Sequence, residues 1–374
     1  MVIVASVAHF TNDVSVLLLP TVLPLVIEDF GLSYATAGLA VALLFLLESF
    51  SQIAAGYMAD RVNKLVLLIA GLVILGMATL LVSLSANYIQ LLIFQCLLGI
   101  GASFYHPIGY SLLSDTCEVR ERGKALGLVS AAGDAAAPVA FLTSGLLAPA
   151  FGWRMIFVLW SCVVFIVAFT ILFITGAQYR KREETYIIGK SARKTMLKLM
   201  PVMVIMLLAE TSYLMISSFS TSFLTSLGVN IELANITVAV MMAMGILGEI
   251  TSGFLIDRFG ERITILGLYL LLVVTSAVTF LADKIPVLIL TICIMGFPLL
   301  GVWPAFYSYI AKVTSESFMA FIYGTVLAVT WGGGSLTPYI GGVIADFFGL
   351  KLVYSVVAAL SLVAIVITNF KFKI

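Results

Sequence analysis

Long apolar stretches constrain this chain more than any other feature of its sequence. A helix needs about 20 apolar residues to cross a bilayer, and twelve stretches of that kind occur along the 374 residues. Their bounds are roughly 3–27, 34–58, 65–86, 88–113, 124–148, 153–176, 196–221, 234–256, 263–282, 286–311, 318–345 and 350–370. Only 10% of the residues are charged, too few to cover a soluble domain. The sequence therefore predicts an all-α membrane protein with twelve transmembrane helices.

The distribution of Lys and Arg predicts the orientation in the membrane. Seventeen of the 20 basic residues fall in connections on the side of the N-terminus, and the other three, Arg154, Lys284 and Lys351, fall on the opposite side. The positive-inside rule then places both termini in the cytoplasm, and we expect the protein in the cytoplasmic (inner) membrane. We expect no nucleic-acid partner, because the basic residues are spread over many short loops and the net charge is +1.

Several classes of site have no support in the sequence. The four cysteines form no CxxC pair, so we assign neither a disulfide framework nor a zinc site. No phosphate-binding loop of the GxxxxGK[ST] type occurs, and we assign no cofactor and no catalytic residue. A receptor or a membrane enzyme is a weaker alternative, since the longest polar segment is only the stretch 178–194. We therefore expect no enzyme activity.

An ungapped repeat relates the two halves of the chain. A shift of 197 residues carries "GYMADRVNK" at Gly56 onto "GFLIDRFGER" at Gly253, and it also carries Pro107 onto Pro304. Six segments then precede the polar stretch and six follow it, which predicts two parallel halves with a site between them near the bilayer midplane. We expect a first bundle over 1–177, a cytoplasmic linker over 178–195 and a second bundle over 196–374, related by pseudo-two-fold symmetry.

The repeated loop carries a family resemblance. It resembles the loop motif of the major facilitator superfamily, once in each half, and the strings "HFTND", "SQIAAGYMAD", "GIGASFYHP" and "SAAGDAAAP" are similar to the fosmidomycin-resistance group of efflux proteins. The resemblance implies a transporter of twelve helices. Its motif residues are then expected to gate the cytoplasmic side: Gly56, Asp60, Arg61, Gly253, Asp257 and Arg258. The alternative is a solvated loop pair that contributes little energy.

Seven ionisable residues lie inside the predicted membrane segments. A charge at the bilayer centre costs at least about 2.5–3.5 kcal/mol, so such residues face the protein interior and usually serve transport. They are His9, Asp13, Glu48, His106, Asp134, Glu210 and Glu249, with no Lys or Arg deep in any segment. Acids and histidines without a fixed cation suit a site that gains and loses protons or attracts a cation.

The first segment holds the residues that we expect to matter most. The repeat relates Asp13 to Glu210, so both halves carry an acid at the same place. His9 lies one helical turn before Asp13 and is expected to tune the proton affinity of its carboxyl group. Asn12 lies on the adjoining strip of the helix surface. Asp13 is predicted to couple protons or to contact substrate; a polar contact that only holds the helix in place is the alternative.

The remaining candidates lie beside helix-breaking residues. His106 precedes Pro107, and its repeat counterpart, Trp303, precedes Pro304, so we expect a kink in both halves. Asp134 has Trp331 as its counterpart, in the glycine-rich string "TWGGGSLTP". Glu48 and Glu249 lie near glycines on the second and eighth segments, where packing and transport roles are both open.

These features favour a secondary-active exporter that exchanges protons for a small amphipathic or cationic compound by alternating access. We expect a monomer in the bilayer whose partners are protons and a small-molecule substrate. Proton-linked uptake of a nutrient is an alternative, and so is transport of a divalent metal through His9, Asp13 and His106. These three lie on only two segments, and their expected depths differ.

Overall fold

A computed structural model describes residues 1–59, 61–117, 121–176, 190–314 and 319–371, and the described residues form helices without any strand. In chain order these are α1 (Val2–Phe30), α2 (Tyr34–Ala59), α3 (Lys64–Ser83), α4 (Tyr88–Ala102), α5 (Tyr105–Thr116), α6 (Arg122–Asp134), α7 (Ala136–Phe151), α8 (Trp153–Thr175), α9 (Lys190–Ser226), α10 (Ile231–Leu281), α11 (Ile285–Gly301), α12 (Trp303–Val313), α13 (Met319–Gly334), α14 (Thr337–Phe348) and α15 (Lys351–Lys371).

These helices correspond to the twelve predicted segments. Four segments are interrupted, as α4 and α5, α6 and α7, α11 and α12, and α13 and α14. Helix α10 runs through two segments and turns at Gly260, whose φ of 79° suits a residue without a Cβ atom. Ten stretches of the described chain are long and apolar enough to cross a membrane. One of these ten stretches is α10, which accounts for two segments. The α13–α14 pair is not among the ten and accounts for one more, so the twelve-helix prediction is confirmed.

Successive segments run in opposite directions, so their connections alternate between two ends of the bundle. We call the end that carries Met1 the terminal face and the other end, with the connection between α1 and α2, the far face. Helix α9 begins at Lys190, inside the predicted linker. The exact boundaries at 177 and 196 stay a prediction.

The kinks predicted beside the two repeated prolines are present. Helix α5 begins at Tyr105, two residues before Pro107, and α12 begins at Trp303, one residue before Pro304. Proline has no N–H to donate and is tolerated in the first turn of a helix, where that donor is not needed. The two halves therefore break the same segment at nearly the same place.

The repeat extends to contacts between helices. Any Cβ atom on Gly99 would collide with the carbonyl oxygen of Leu44, and one on Gly296 would collide with that of Met241. Both the glycines and the residues they touch are 197 positions apart. The glycines allow the second and fourth segments of each half to approach at backbone distance.

The two halves meet most extensively where α2 packs on α14 and α7 packs on α10, and they also meet where α1 packs on α9. At the far face, the Asp346 carboxylate accepts hydrogen bonds from the backbone N–H groups of Tyr34, at 2.8 Å, and Ala35, at 3.0 Å. Deeper in the bundle, the Asn235 side chain donates to the carbonyl oxygen of Thr21 at 2.9 Å. The halves are therefore joined by hydrogen bonds on the far-face side of the bundle.

Candidate substrate-binding and coupling site

His9 and Asp13 form a pair on α1. They are one turn apart on the same face, and His9 Nε2 lies 3.2 Å from Asp13 Oδ2. His9 Nδ1 lies 2.8 Å from the carbonyl oxygen of Val129. Because a carbonyl oxygen can only accept, Nδ1 carries the proton, and Nε2 is left to face the carboxylate. Asn12 donates to the other oxygen of Asp13 at 3.1 Å, so the predicted grouping of these residues is present.

His106 joins this pair from the first turn of α5. Its ring centroid lies 5.3 Å from that of His9, and its Nε2 is 3.7 Å from Glu48 Oε1 on α2. His106 Nδ1 is buried and has no hydrogen-bond partner. The interruption between α4 and α5 thus brings a residue of the fourth segment to the middle of the first.

The three residues His9, Asp13 and His106 converge on one point. One ligand atom from each lies within 4.8 Å of those of the other two. Their different expected depths in the sequence argued against such a cluster, and the structure removes that objection. His9 is additionally held by the Tyr105 ring, which stacks on it at 4.5 Å.

Glu210 occupies the repeat-related position on α9 but has different surroundings from Asp13. Its side chain is 8% exposed and packs against Gly334, where a Cβ atom would lie 2.6 Å from Glu210 Cγ. Glu48 is close enough for the two carboxylates to interact electrostatically. Both halves therefore carry an acid at this repeat position, but the two acids contact different partners.

Asp134 and Glu249 bring together acids from the two halves. Asp134 ends α6 and Glu249 lies on α10, and their carboxyl groups are close enough to interact with one another. Two carboxylates this close repel each other, and a proton on either one removes that repulsion. The structure therefore brings one titratable acid from each half together.

A second contact between the halves joins His106 to Trp331, whose ring centroids are 5.2 Å apart. Trp331 lies on α13 at the repeat position of Asp134. The sequence placed both residues beside helix breaks but carried no signal that they touch. Their contact depends on how α13 of the second half packs against α2 of the first.

The predicted gating residues lie at the terminal face. Arg61 donates to the Tyr57 carbonyl oxygen at 3.0 Å and stacks on the Tyr57 ring, and Arg258 lies over the ring of Phe259. Asp60 lies outside the described residues. Gly56 approaches Pro107, whereas a Cβ atom on Gly253 would meet no neighbour. Asp257 lines a cleft with Pro304 and Ser308.

The two copies of the loop motif turn by different means. Gly260 adopts a positive φ of 79° between the two parts of α10. Its counterpart, Asn63, has a φ of −57° and caps α3 by accepting from the N–H groups of Leu65 and Val66. This capping explains why the first copy functions as a turn without glycine at that position.

Two ion pairs at the terminal face were not predicted from the sequence. Lys64 Nζ lies 2.5 Å from Asp115 Oδ2, and Lys312 Nζ lies 2.6 Å from Glu261 Oε1. The shift of 197 residues relates Lys64 to Glu261 and Asp115 to Lys312. The repeat register was therefore the signal that could have revealed them.

Comparisons with known proteins agree with this architecture. The curated relatives include the multidrug resistance protein MdtG of Escherichia coli (strain K12 / DH10B), which is 24% identical over 96% of this chain and 91% of its own length. Among solved structures, a bacterial homologue of the human lysosomal transporter Spinster, in an inward-facing and unoccupied conformation, superposes with a TM-score of 0.87 at 17% identity, over 99% of this chain and 96% of that one. A D-xylose–proton symporter superposes with a TM-score of 0.80 at 12% identity, over 100% and 96%.

The family model described as "Major Facilitator Superfamily" matches residues 5–250 and 202–373, which together span nearly the whole chain. The resemblance rested on the repeated loop and on local strings, and the twelve-helix architecture that it implied is present. The chain belongs to the major facilitator superfamily and is a membrane transporter, not an enzyme.

Proposed function

We propose that this protein is a proton-coupled exporter that exchanges protons for a small amphipathic or cationic compound by alternating access. The observation that carries the proposal is the closeness of the Asp134 and Glu249 carboxyl groups, because these two titratable residues belong to different halves. When both are deprotonated, two carboxylates face one another, and their repulsion favours separation of α6 from α10. Protonation is thereby linked to the relative position of the halves.

Asp13 and Glu210 take the role of attracting the substrate. Each is an acid on the first helix of its half; Glu210 is buried, whereas the Asp13 side chain is a quarter exposed. A cationic compound gains charge pairing there that it lacks in the apolar membrane. The description of MdtG as a multidrug resistance protein supports export of such compounds.

The gating and orientation predictions complete the proposal. We place the terminal face in the cytoplasm, with both termini there, and the protein as a monomer in the inner membrane. In this orientation the bonds of Asp346 and Asn235 close the outer side. Opening outward then requires these bonds to break.

Reconstituted vesicles test the proposal. Purified protein in liposomes that hold DNA is given ethidium outside and a lumen more acidic than the medium. Ethidium carries a fixed charge, so a pH gradient alone does not trap it. An antiporter accumulates ethidium as protons leave the lumen, and dissipating the pH gradient with nigericin in K⁺ medium abolishes accumulation. Uptake only when the medium is the acidic side indicates symport instead, which is the mode named for the D-xylose–proton symporter.

A further inference from the structure

The only two histidines of the 374-residue chain meet inside the bundle. His9 lies on α1 and His106 on α5, and their ring centroids are 5.3 Å apart. Asp13 completes the group, with one ligand atom of each residue within 4.8 Å of the others. Two imidazoles and a carboxylate are the ligands that divalent metals of borderline softness, such as Zn²⁺, favour.

The tautomer of His9 suits a metal ligand. Its Nδ1 donates to the carbonyl oxygen of Val129 at 2.8 Å, so Nε2 is the nitrogen that faces Asp13, where a metal ion would take the place of a proton. Histidines that bind metals commonly donate their second N–H to a carbonyl or carboxylate, which fixes the ring and leaves the other nitrogen free. The stacked ring of Tyr105 restrains the same imidazole from its face.

His106 supplies a second observation. Its buried Nδ1 has no hydrogen-bond partner, which is unfavourable in the interior of a protein unless another group satisfies the atom. Its other nitrogen lies 3.7 Å from Glu48 Oε1. The ring therefore has one nitrogen directed towards an acid and one unsatisfied, and it lies beside the His9–Asp13 pair.

Distances and charge both fit a small dication. Bonds of about 2.0–2.1 Å place the ligand atoms of a tetrahedral site about 3.4 Å apart, and the His9–Asp13 separation is already 3.2 Å. No separation in the cluster exceeds 4.8 Å, so none needs to close by more than about 1.4 Å. Asp13 and Glu48 together supply two negative charges, which neutralise the dication inside the membrane.

We infer that His9, Asp13 and His106 bind one divalent transition-metal ion of the Zn²⁺ class, beside the Glu48 carboxylate. The inference deepens the proposed function and rests on it, because Asp13 is also one of the two acids proposed to attract the cationic substrate. Mg²⁺ and Ca²⁺ are not expected to bind, since they prefer sites made entirely of oxygen ligands.

Equilibrium binding to the purified full-length protein tests the site without any transport step. The protein is prepared through an affinity tag that contains no histidine and titrated with ZnCl₂, and separately with MgCl₂, by calorimetry. We expect one Zn²⁺ per chain and no Mg²⁺ binding. The substitutions His9→Gln, His106→Gln and Asp13→Asn are each expected to weaken Zn²⁺ binding by about tenfold or more. Glu232→Gln, the same type of change at an exposed acid in the first turn of α10, is expected to retain wild-type affinity.

A measurement on the unsubstituted protein covers the case in which a variant fails to fold. Diethyl pyrocarbonate modifies free imidazole, and the chain has no histidine outside the cluster. Bound Zn²⁺ is expected to slow this modification, and bound Co²⁺ to show the visible absorption of imidazole-ligated cobalt. Absence of Zn²⁺ binding, or binding that neither slows the modification nor responds to any of the three substitutions, would overturn the inference. Loss of proton-driven ethidium transport with Zn²⁺ binding intact would overturn the proposed function alone.

Discussion

Lys64 and Asp115 form an ion pair of 2.5 Å at the terminal face, with both side chains about nine-tenths buried. The pair joins the beginning of α3 to the end of α5. In the second half the same two positions hold Glu261 and Lys312, 2.6 Å apart, with the charges exchanged. These two repeat-related positions therefore require opposite charges, and either one of them can carry the positive charge.

Charge exchange tests that conclusion in the first half. Lys64→Ala or Asp115→Ala leaves one buried charge without its partner, which is expected to destabilise the protein by about 3–5 kcal/mol. The double variant with Lys64→Glu and Asp115→Lys copies the polarity of the second half and is expected to recover most of this loss. Thermal unfolding in detergent measures both effects. Lys284→Ala, at the far face, is the control, and a double variant no more stable than the worse single one would contradict the account.

The glycines at the helix contacts allow a matched comparison. Gly99→Ala and Gly296→Ala place a methyl group against the carbonyl oxygens of Leu44 and Met241, and each is expected to cost about 1–3 kcal/mol through overpacking. Thermal unfolding and the yield of monodisperse protein report the change.

The control is a second repeat-related pair of helical glycines. Gly127 and Gly324 are also 197 residues apart, but a Cβ atom on either would meet no neighbour within 4 Å. Replacing either with Ala is expected to be neutral or stabilising by up to about 1 kcal/mol, because Ala favours helix. Equal destabilisation at all four positions would show that close helix contact is not the cause.

Asp346 is expected to hold the far face closed. Its carboxylate accepts from the first N–H groups of α2, a helix of the other half, and loss of such a cap costs about 0.5–2 kcal/mol. Asp346→Ala is therefore expected to raise the population open at the far face about 2- to 30-fold. Electron spin resonance distances between labels at Ala86 and Lys284, in a background without the four native cysteines, measure that population.

The matched control for this experiment is Asp283→Ala. Asp283 is also an exposed acid of the far face, but its partner is Lys351 of the same half, at 2.7 Å. Its removal is expected to leave the distance distribution unchanged. A distribution that is unaffected by Asp346→Ala would show that the cap does not contribute to closure.

The sequence predicts much of the fold and part of the candidate site. Segment length and the 197-residue register were enough for the twelve segments and for the paired acids Asp13 and Glu210, because both depend on local composition and symmetry. The contact of His9 with His106 was not predictable, since it depends on how the interruption at Ser103 and Phe104 turns the fourth segment.

The far-face cap illustrates a second limit. Asp346 has Pro149 as its repeat counterpart, so the register carries no indication that an acid is needed there. Which helix end lies within reach of its carboxylate is decided by packing between α2 and α14. Contacts between the halves are therefore the part of the site that sequence symmetry does not reveal.

The central claim is that protonation of the Asp134–Glu249 pair couples the halves, and the conservative variants Asp134→Asn and Glu249→Gln test it. Both keep hydrogen-bonding side chains but remove the titration of one carboxyl group. Glu232→Gln, in the first turn of the same helix as Glu249, is the control. Two modes of ethidium transport are compared in proteoliposomes: accumulation driven by a pH gradient, and exchange of labelled for unlabelled ethidium at equal pH.

Exchange needs only binding and rearrangement of the loaded transporter, whereas gradient-driven accumulation needs the proton. The account predicts that each variant loses proton-driven accumulation by about tenfold or more while retaining exchange within about twofold, and that Glu232→Gln retains both. Undiminished proton-driven accumulation in Asp134→Asn and in Glu249→Gln would contradict it.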